Sequence, residues 1–224
     1  MPNVPNTPML SSKGELSAAG HVTLRGNVSV NSAYAASDHF GILLNGSVMN
    51  SNRTKKDFKN SLIETGAGYF NTFGPDNNRI FEVYAGLGKG NSERVYKDRT
   101  SAGLATEDRQ EVNFNKSFLQ VNYSSKKKQD LKLFGARFPL NYGTALRVSY
   151  VNMTEFLRND IVQKKEDNIF LEPVFFTRMA LSNAVQIQYT SGSNFGLKSR
   201  KYLTAGNSVF TIGVVVNLGN LGDN

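Results

Sequence analysis

The fold is indicated most clearly by Phe81-Glu82-Val83-Tyr84-Ala85-Gly86-Leu87-Gly88, whose residues alternate between two different faces. In an extended chain the odd-numbered residues point one way and the even-numbered residues the other. Here the odd-numbered residues are Phe, Val, Ala and Leu, whereas the even-numbered set holds Glu82 and two glycines. A period of two is typical of a strand and does not suit a helix.

The same alternation recurs along most of the chain and predicts about ten strands and no convincing helix. A weaker first strand covers residues 16–24. The other apolar sets are Val28, Val30, Tyr34 and Ala36; Phe40, Ile42, Leu44, Gly46 and Val48; Ile63, Thr65, Ala67 and Tyr69; Leu119, Val121 and Tyr123; Leu146, Val148 and Tyr150; Leu171, Pro173, Phe175, Thr177 and Met179; Val185, Ile187 and Tyr189; and Phe210, Ile212, Val214, Val216 and Leu218.

Composition removes several classes of protein. The 224 residues include no cysteine, so disulfide frameworks, thiolate metal sites and cysteine nucleophiles are excluded. No apolar run reaches the roughly 18 residues that a membrane helix needs, and no signal-peptide pattern follows Met1. The net charge of +8 favours acidic partners such as lipopolysaccharide or anionic lipid.

The connections between the predicted strands alternate in length. Short turns fall at residues 36–38, 74–77 and 182–183, and long polar segments at 50–60, 89–111, 154–168 and 197–207. Transmembrane barrels combine short periplasmic turns with long outer loops. We therefore expect an all-β, closed antiparallel transmembrane β-barrel of about ten strands in the bacterial outer membrane. Its expected parts are a periplasmic N-terminal extension (1–13), the barrel (14–219) and a C-terminal tail (220–224).

The polar faces of the predicted strands carry charged residues that a dry soluble core would not accept unpaired. A membrane barrel turns this face toward its lumen. We expect five side chains to point inward and to form at least one carboxylate–guanidinium pair: Glu64, Glu82, Arg147, Glu172 and Arg178.

Residues 131–140 fit this scheme poorly. The segment from 129 onward is too long for one membrane strand of about 9–11 residues, and Pro139 cannot donate to a strand ladder. Either 131–140 is a periplasmic excursion or it is an extra strand. An extra strand would make the strand number odd, so the excursion is favoured.

Several short motifs give the chain a resemblance to a known family. They begin with the run Pro2-Asn3-Val4-Pro5-Asn6-Thr7-Pro8-Met9-Leu10, followed by Lys13-Gly14-Glu15. Further matches are Ala33-Tyr34-Ala35 with Asp38-His39, Gly66-Ala67-Gly68-Tyr69-Phe70, Phe81-Glu82-Val83-Tyr84-Ala85-Gly86, Leu146-Arg147-Val148-Ser149-Tyr150-Val151-Asn152 and Leu171-Glu172-Pro173. In this order they resemble small outer-membrane β-barrel proteins of Bacteroidetes-type Gram-negative bacteria. The resemblance implies an export signal, often with a lipid-modified cysteine just before the run, and implies no single activity.

No catalytic, cofactor or metal site is predicted. His21 and His39 are the only histidines, and nothing in the sequence places a nucleophile or metal partner beside either. Gly86, Gly88 and Gly90 do not form a phosphate loop, because no helix follows them. We therefore expect no enzyme activity and no cofactor.

Two basic clusters fall in predicted outer loops: Arg53, Lys55, Lys56 and Lys59, and Lys198, Arg200 and Lys201. They are either contacts for lipopolysaccharide phosphates or an acidic partner, or ordinary solvated charge. Expected partners are outer-membrane lipid, lipopolysaccharide and other outer-membrane proteins, but no nucleic acid, because aromatic residues are not interleaved with the basic ones.

Three functions remain open at this point. The first is a structural or accessory outer-membrane barrel, alone or as one subunit of a surface complex. The second is a small channel or ligand carrier, and the third is a soluble lipocalin-like binding barrel. About ten strands enclose a lumen that side chains can largely fill, which argues against a wide pore.

Overall fold

The computed structural model describes residues 4–23, 26–100, 103–133, 135–206 and 208–219. Leu24, at the end of the predicted first strand, and the predicted tail 220–224 lie outside the described residues.

Twelve strands follow one another along the chain, with a single 3-10 turn among the described residues at Pro75–Asn77. Ten of them are long, and two, β8 and β11, have two residues each. In chain order they are β1 (Leu16–Val22), β2 (Asn27–Ala35), β3 (Phe40–Arg53), β4 (Lys56–Phe73), β5 (Arg79–Thr100), β6 (Gly103–Leu133), β7 (Ala136–Arg158), β8 (Ile161–Val162), β9 (Asp167–Ala180), β10 (Val185–Gly192), β11 (Phe195–Gly196) and β12 (Val209–Leu218).

The ten long strands close into an antiparallel barrel. Each of β1 to β7 pairs with its neighbour in sequence, and β7 continues to β9, β10 and β12. The seam is the pairing of β1 with β12, from Leu16 opposite Leu218 to Val22 opposite Ile212. The predicted closed barrel of about ten strands is therefore confirmed, and β8 and β11 only lengthen the ladder at one end.

The apolar residues of the barrel lie on its outer surface. Leu87 and Phe175 are each 66% exposed, whereas Glu82 and Arg147 are fully buried. Exposed aromatic residues face each other on adjacent strands: Phe40 lies opposite Tyr69, and Phe81 opposite Tyr123. An apolar wall with aromatic residues toward its edge and a polar interior is the arrangement of a transmembrane barrel, the reverse of a soluble one.

The two ends of the barrel differ. The end that we call the short-turn end carries the turns at residues 36–39, 74–78 and 181–184 together with the seam residues Leu16 and Leu218. The opposite end, the long-hairpin end, carries the connections β3–β4, β5–β6, β7–β9 and β10–β12. None of the described residues forms a helix long and apolar enough to cross a bilayer.

Two segments predicted as long loops are strands instead. In 50–60, β3 and β4 continue to a tight turn at Thr54-Lys55, and in 89–111, β5 reaches Thr100 and β6 begins at Gly103. Beyond the apolar band both faces of a hairpin are in contact with water. The alternation of apolar and polar residues therefore disappears, although the backbone hydrogen bonds between the two strands continue. Cross-strand ion pairs such as Lys59–Glu93, at 3.6 Å, take its place. Much of 154–168 is also strand, since β7 runs to Arg158 and pairs there with β8.

Residues 131–140 form an excursion and not an additional barrel strand. Beyond a register shift after Ser125, β6 and β7 pair only with each other, from Gln129 opposite Leu140 to Leu133 opposite Ala136. Pairing of β7 with β9 starts only at Leu140. Pro139 therefore lies where β7 has one partner strand, the kind of edge position at which proline is tolerated.

Candidate functional site: a lumen filled by the N-terminus

The lumen contains the beginning of the chain. Residues 4–10 are all buried, and we call residues 4–12 the plug segment. The sequence prediction assigned 1–13 to an extension outside the barrel, whereas the structure places 4–10 inside it. The physical reason is that amide and guanidinium donors line the lumen, and an extended segment offers them its carbonyl oxygens.

The N-terminal part of the plug segment is held through Asn6. Its side-chain amide donates to Asn45 Oδ1 at 2.8 Å and to the Ser32 carbonyl at 2.9 Å. Its carbonyl accepts hydrogen bonds from Gln120 at 2.5 Å and from Asn122 at 3.3 Å. Asn6 thus ties together strands from opposite sides of the barrel.

Arg178 holds the middle of the plug segment. Its guanidinium donates to the carbonyls of Thr7 and Pro8, the latter at 3.2 Å, and its Nε donates to Gln188 Oε1 at 2.6 Å. The side chain is 2% exposed. Removing this guanidinium would leave buried carbonyl oxygens without a donor.

Glu82 holds the C-terminal part of the plug segment. Its carboxylate accepts hydrogen bonds from the backbone N–H of Leu10 at 3.1 Å, from the Tyr84 hydroxyl at 3.0 Å and from Asn122 at 3.1 Å. Leu10 then packs among buried side chains that include Leu43 and Phe70. Glu82 and Arg178, both predicted to face inward, are thus plug contacts and do not form an ion pair with each other in the described structure.

The other three predicted lumen residues belong to a group of four charges that we call the charge tetrad: Glu64, Lys116, Arg147 and Glu172. Arg147 Nη1 lies 3.0 Å from Glu64 Oε2. Lys116 Nζ lies 3.0 Å from Glu64 Oε1 and 3.3 Å from Glu172 Oε1. Two positive and two negative charges therefore balance one another, which a low-dielectric interior requires. Arg147 also donates to Gln120 at 2.7 Å and lies 4.3 Å from the Phe118 ring centre.

Lys116 is the member of the charge tetrad that the sequence analysis missed. The signal was present, because Leu119, Val121 and Tyr123 fix the even-numbered residues of β6 as inward-facing. The same alternation continued toward the N-terminus makes Lys116 inward-facing too. The predicted set on this strand begins at Leu119, three residues after Lys116, and therefore does not include it.

The glycine row on β5 makes room for the charge tetrad. A methyl group at Gly88 would lie 2.8 Å from Glu64 Cγ and 2.9 Å from the Ile63 carbonyl. Gly88 stands between Glu64 on β4 and Lys116 on β6. Gly86 and Gly90 give similar space to Phe118 and Phe114. The row thus lets large side chains of the neighbouring strands reach across β5.

The long-hairpin end is covered by residues 197–206, which we call the cap loop. Leu203 is 8% exposed and packs in a buried apolar cluster with Phe156 and Phe170, among others. Glu166 accepts backbone hydrogen bonds from Lys201, Tyr202 and Leu203 at 3.2, 3.0 and 2.9 Å. Three hydrogen bonds to one carboxylate fix the loop over the mouth of the barrel.

The two predicted basic clusters occupy different settings. Arg53, Lys55, Lys56 and Lys59 lie around the tip of the β3–β4 hairpin, with Lys59 paired to Glu93 and Lys56 over the Tyr96 ring. In the cap loop, Lys198 and Arg200 both bind Asp167 at 2.5 Å, and Lys201 lies over the Tyr202 ring. Part of this positive charge is therefore engaged within the protein.

The histidines occupy ordinary structural positions. His21 is buried on the lumen face of β1 beside Gly213. His39 stacks on Tyr69 with ring centres 5.5 Å apart, and its Nδ1 lies 3.2 Å from the Phe70 carbonyl. Within the described ranges, no three His, Asp or Glu side chains are grouped so that they could hold a metal ion.

Comparisons with known proteins found likenesses among solved structures and none among families or curated sequences. No known protein family matches the chain, and no curated protein matches its sequence. The translocator domain of the autotransporter NalP from Neisseria meningitidis is similar over 90% of this chain and 86% of its own, with 12% identity and a TM-score of 0.49. The siderophore receptor PirA from Pseudomonas aeruginosa matches 91% of this chain with 40% of its own, at 9% identity and a TM-score of 0.21.

Proposed function

We propose that this protein is a closed outer-membrane barrel with a structural or accessory role, and that its lumen does not conduct. The observation that supports this most strongly is the plug segment, seven of whose residues are buried in the lumen. The charge tetrad fills the side of the lumen that is lined by β4 to β9, and the cap loop covers the long-hairpin end. We therefore expect ions to find no continuous water path through the lumen while these closures stay in place.

An outer-membrane location is proposed on physical grounds. The wall is apolar and the interior polar, and β2 and β12, with 9 and 10 residues, match the roughly 9–11 needed to cross a bilayer. The Bacteroidetes-type origin is likewise a proposal, supported by the N-terminal run and the ordered motifs. Lipopolysaccharide and neighbouring membrane proteins are the proposed partners, with the long-hairpin end outward.

The alternatives fit these observations less well. A ligand carrier or small channel needs free volume in the lumen, where the plug segment lies instead. A soluble lipocalin-like barrel needs its apolar face inside, yet side chains such as Leu44 and Ile63 are more than half exposed. Membership of a surface complex remains compatible with the long β5–β6 hairpin, which extends far beyond the apolar band.

Planar-bilayer recording tests the closed barrel. We expect no steady openings from the full chain, and reproducible openings after deletion of residues 4–12, because water then enters beside Arg178 and Glu82. The matched control deletes residues 131–138 from the excursion, which lies outside the lumen, and should stay silent. Steady openings from the full chain would refute the proposal, and would promote the channel alternative.

A further inference from the structure

A cavity of about 540 Å³ lies at the long-hairpin end, between the cap loop and the connection that leads into β9. Its aromatic wall is formed by Phe156 and Tyr202, whose ring centres are 4.7 Å apart at an interplanar angle of 57°. Lys164, Lys165 and Arg200 stand around it. A cavity of this volume falls within the range of small-molecule sites and would hold one or two sugar rings.

The carboxylates at the cavity are already engaged. Glu166 accepts three backbone hydrogen bonds from the cap loop. Asp167 binds Lys198 and Arg200. Lys164 and Lys165 are exposed, and within the described part of the chain neither has an acidic partner within ion-pair distance. The free charge that the cavity presents to a ligand is therefore positive.

The combination of groups selects for one kind of ligand. Two unpaired ammonium groups favour a compact dianion such as phosphate, to which lysine donates charge-assisted hydrogen bonds. The ring of Tyr202, which is half-buried at the cavity, favours an adjoining ring with apolar C–H edges, while Phe156 is buried behind it and the Gln163 side chain adds a polar group. We propose that this cavity binds a phosphorylated saccharide.

This ligand chemistry has two sources at a cell surface. A free sugar phosphate carries it, and so does the phosphorylated saccharide of lipopolysaccharide. Both sources reach the cavity only if the long-hairpin end faces outward, as proposed above. Binding there does not depend on whether the lumen conducts.

Calorimetric titration of the detergent-solubilised full chain with glucose 6-phosphate tests the proposal. We expect binding that weakens at least fivefold in the double variant Lys164→Gln/Lys165→Gln. The control Lys132→Gln/Arg137→Gln removes the same charge from two exposed residues of the excursion and should stay within twofold of the parent. Heat-modifiable gel migration verifies that both variants are folded.

Other ligands separate the parts of the inference. Glucose and inorganic phosphate should each bind at least fivefold more weakly than glucose 6-phosphate. Equal binding of inorganic phosphate would overturn the saccharide part, equal binding of glucose would overturn the phosphate part, and no binding of glucose 6-phosphate, or no effect of the lysine variant, would overturn the whole.

Competition identifies the source. Displacement of glucose 6-phosphate by lipopolysaccharide, but not by dephosphorylated lipopolysaccharide, supports the membrane source. Absence of displacement by either supports the free sugar phosphate. Displacement by both forms alike would overturn recognition of phosphate. Bilayer recordings of the lysine variant should remain silent, so failure here is distinct from failure of the closed-barrel proposal.

Discussion

At the scale of single residues, the lumen shows how a membrane barrel accommodates charge. Four charged side chains lie within a few ångströms of one another, because each has a partner of opposite charge and because Gly88 adds no side chain between them. Period-two alternation was sufficient to predict Glu64, Arg147 and Glu172 as inward-facing. It could not predict which of them pair, since pairing depends on the stagger of strands that are far apart in sequence.

Lys116 is the residue whose loss should cost most in the charge tetrad. Lys116→Met leaves Glu172 buried without its cation, so we expect the free energy of unfolding to fall by about 3–5 kcal/mol. Urea unfolding in detergent micelles measures this. Lys89→Met is the control, because Lys89 is an exposed lysine on the adjacent strand. A fall of less than about 1 kcal/mol for Lys116→Met would contradict the tetrad as drawn, given that exposed pairs reach only that value.

Adding Glu172→Gln to Lys116→Met should recover part of the loss, because the uncompensated carboxylate is then neutral. Comparing the single and double variants gives the coupling between the two residues. Strict additivity would show that Lys116 and Glu172 do not interact.

Gly88 should tolerate a side chain less well than a glycine elsewhere in the barrel. Gly88→Ala brings a methyl group within 3 Å of Glu64 Cγ and of a backbone carbonyl, so a destabilisation of about 1–3 kcal/mol is expected from overpacking. Gly46→Ala on β3 is the control, because no heavy atom lies within 4 Å of its added methyl. Urea unfolding in detergent micelles measures the stability of both variants. Equal stability of the two would argue against the close approach at Gly88.

At the scale of elements, the membrane-spanning strands were predictable and their extensions were not. Polar and apolar residues alternate along a strand only where one face is polar and the other meets lipid. This alternation stops where both faces of β5 and β6 reach water. The plug segment was missed for a different reason. Pro5 and Pro8 exclude it from a regular ladder, and its burial depends on donors such as Arg178, which is some 170 residues away in the chain.

The cap loop should depend on Glu166 for its attachment. Glu166→Ala removes the acceptor of three backbone hydrogen bonds, so trypsin should cleave faster after Lys198, Arg200 or Lys201. Mass spectrometry of timed digests measures this. Glu155→Ala is the control, because Glu155 is an exposed carboxylate that accepts a hydrogen bond from Asn113 and forms no hydrogen bond or ion pair with the described cap loop. Unchanged cleavage in Glu166→Ala would show that the apolar contacts of Leu203 suffice.

At the scale of the whole molecule, the two ends of the barrel predict an orientation in the membrane. The absence of cysteine allows a clean test with single cysteine substitutions. In intact cells a membrane-impermeant maleimide should label Lys55→Cys, at the tip of the β3–β4 hairpin. Asp38→Cys and Asp76→Cys, in the short turns, should react only after the outer membrane is broken. The reverse pattern would invert the orientation and remove the basis for a cell-surface role.

The seam between β1 and β12 has a consequence for how the chain acquires its structure. The first and last strands are neighbours although nearly 200 residues separate them, so the contact order is high and folding is correspondingly slow. The plug segment precedes β1 directly, and its bonds reach β9 and β10. These bonds can form only when the late strands have been synthesised and curved around it. The plug segment, although synthesised before β9 and β10, is therefore among the last parts to find its native surroundings, and it is enclosed in the same event that joins β1 to β12.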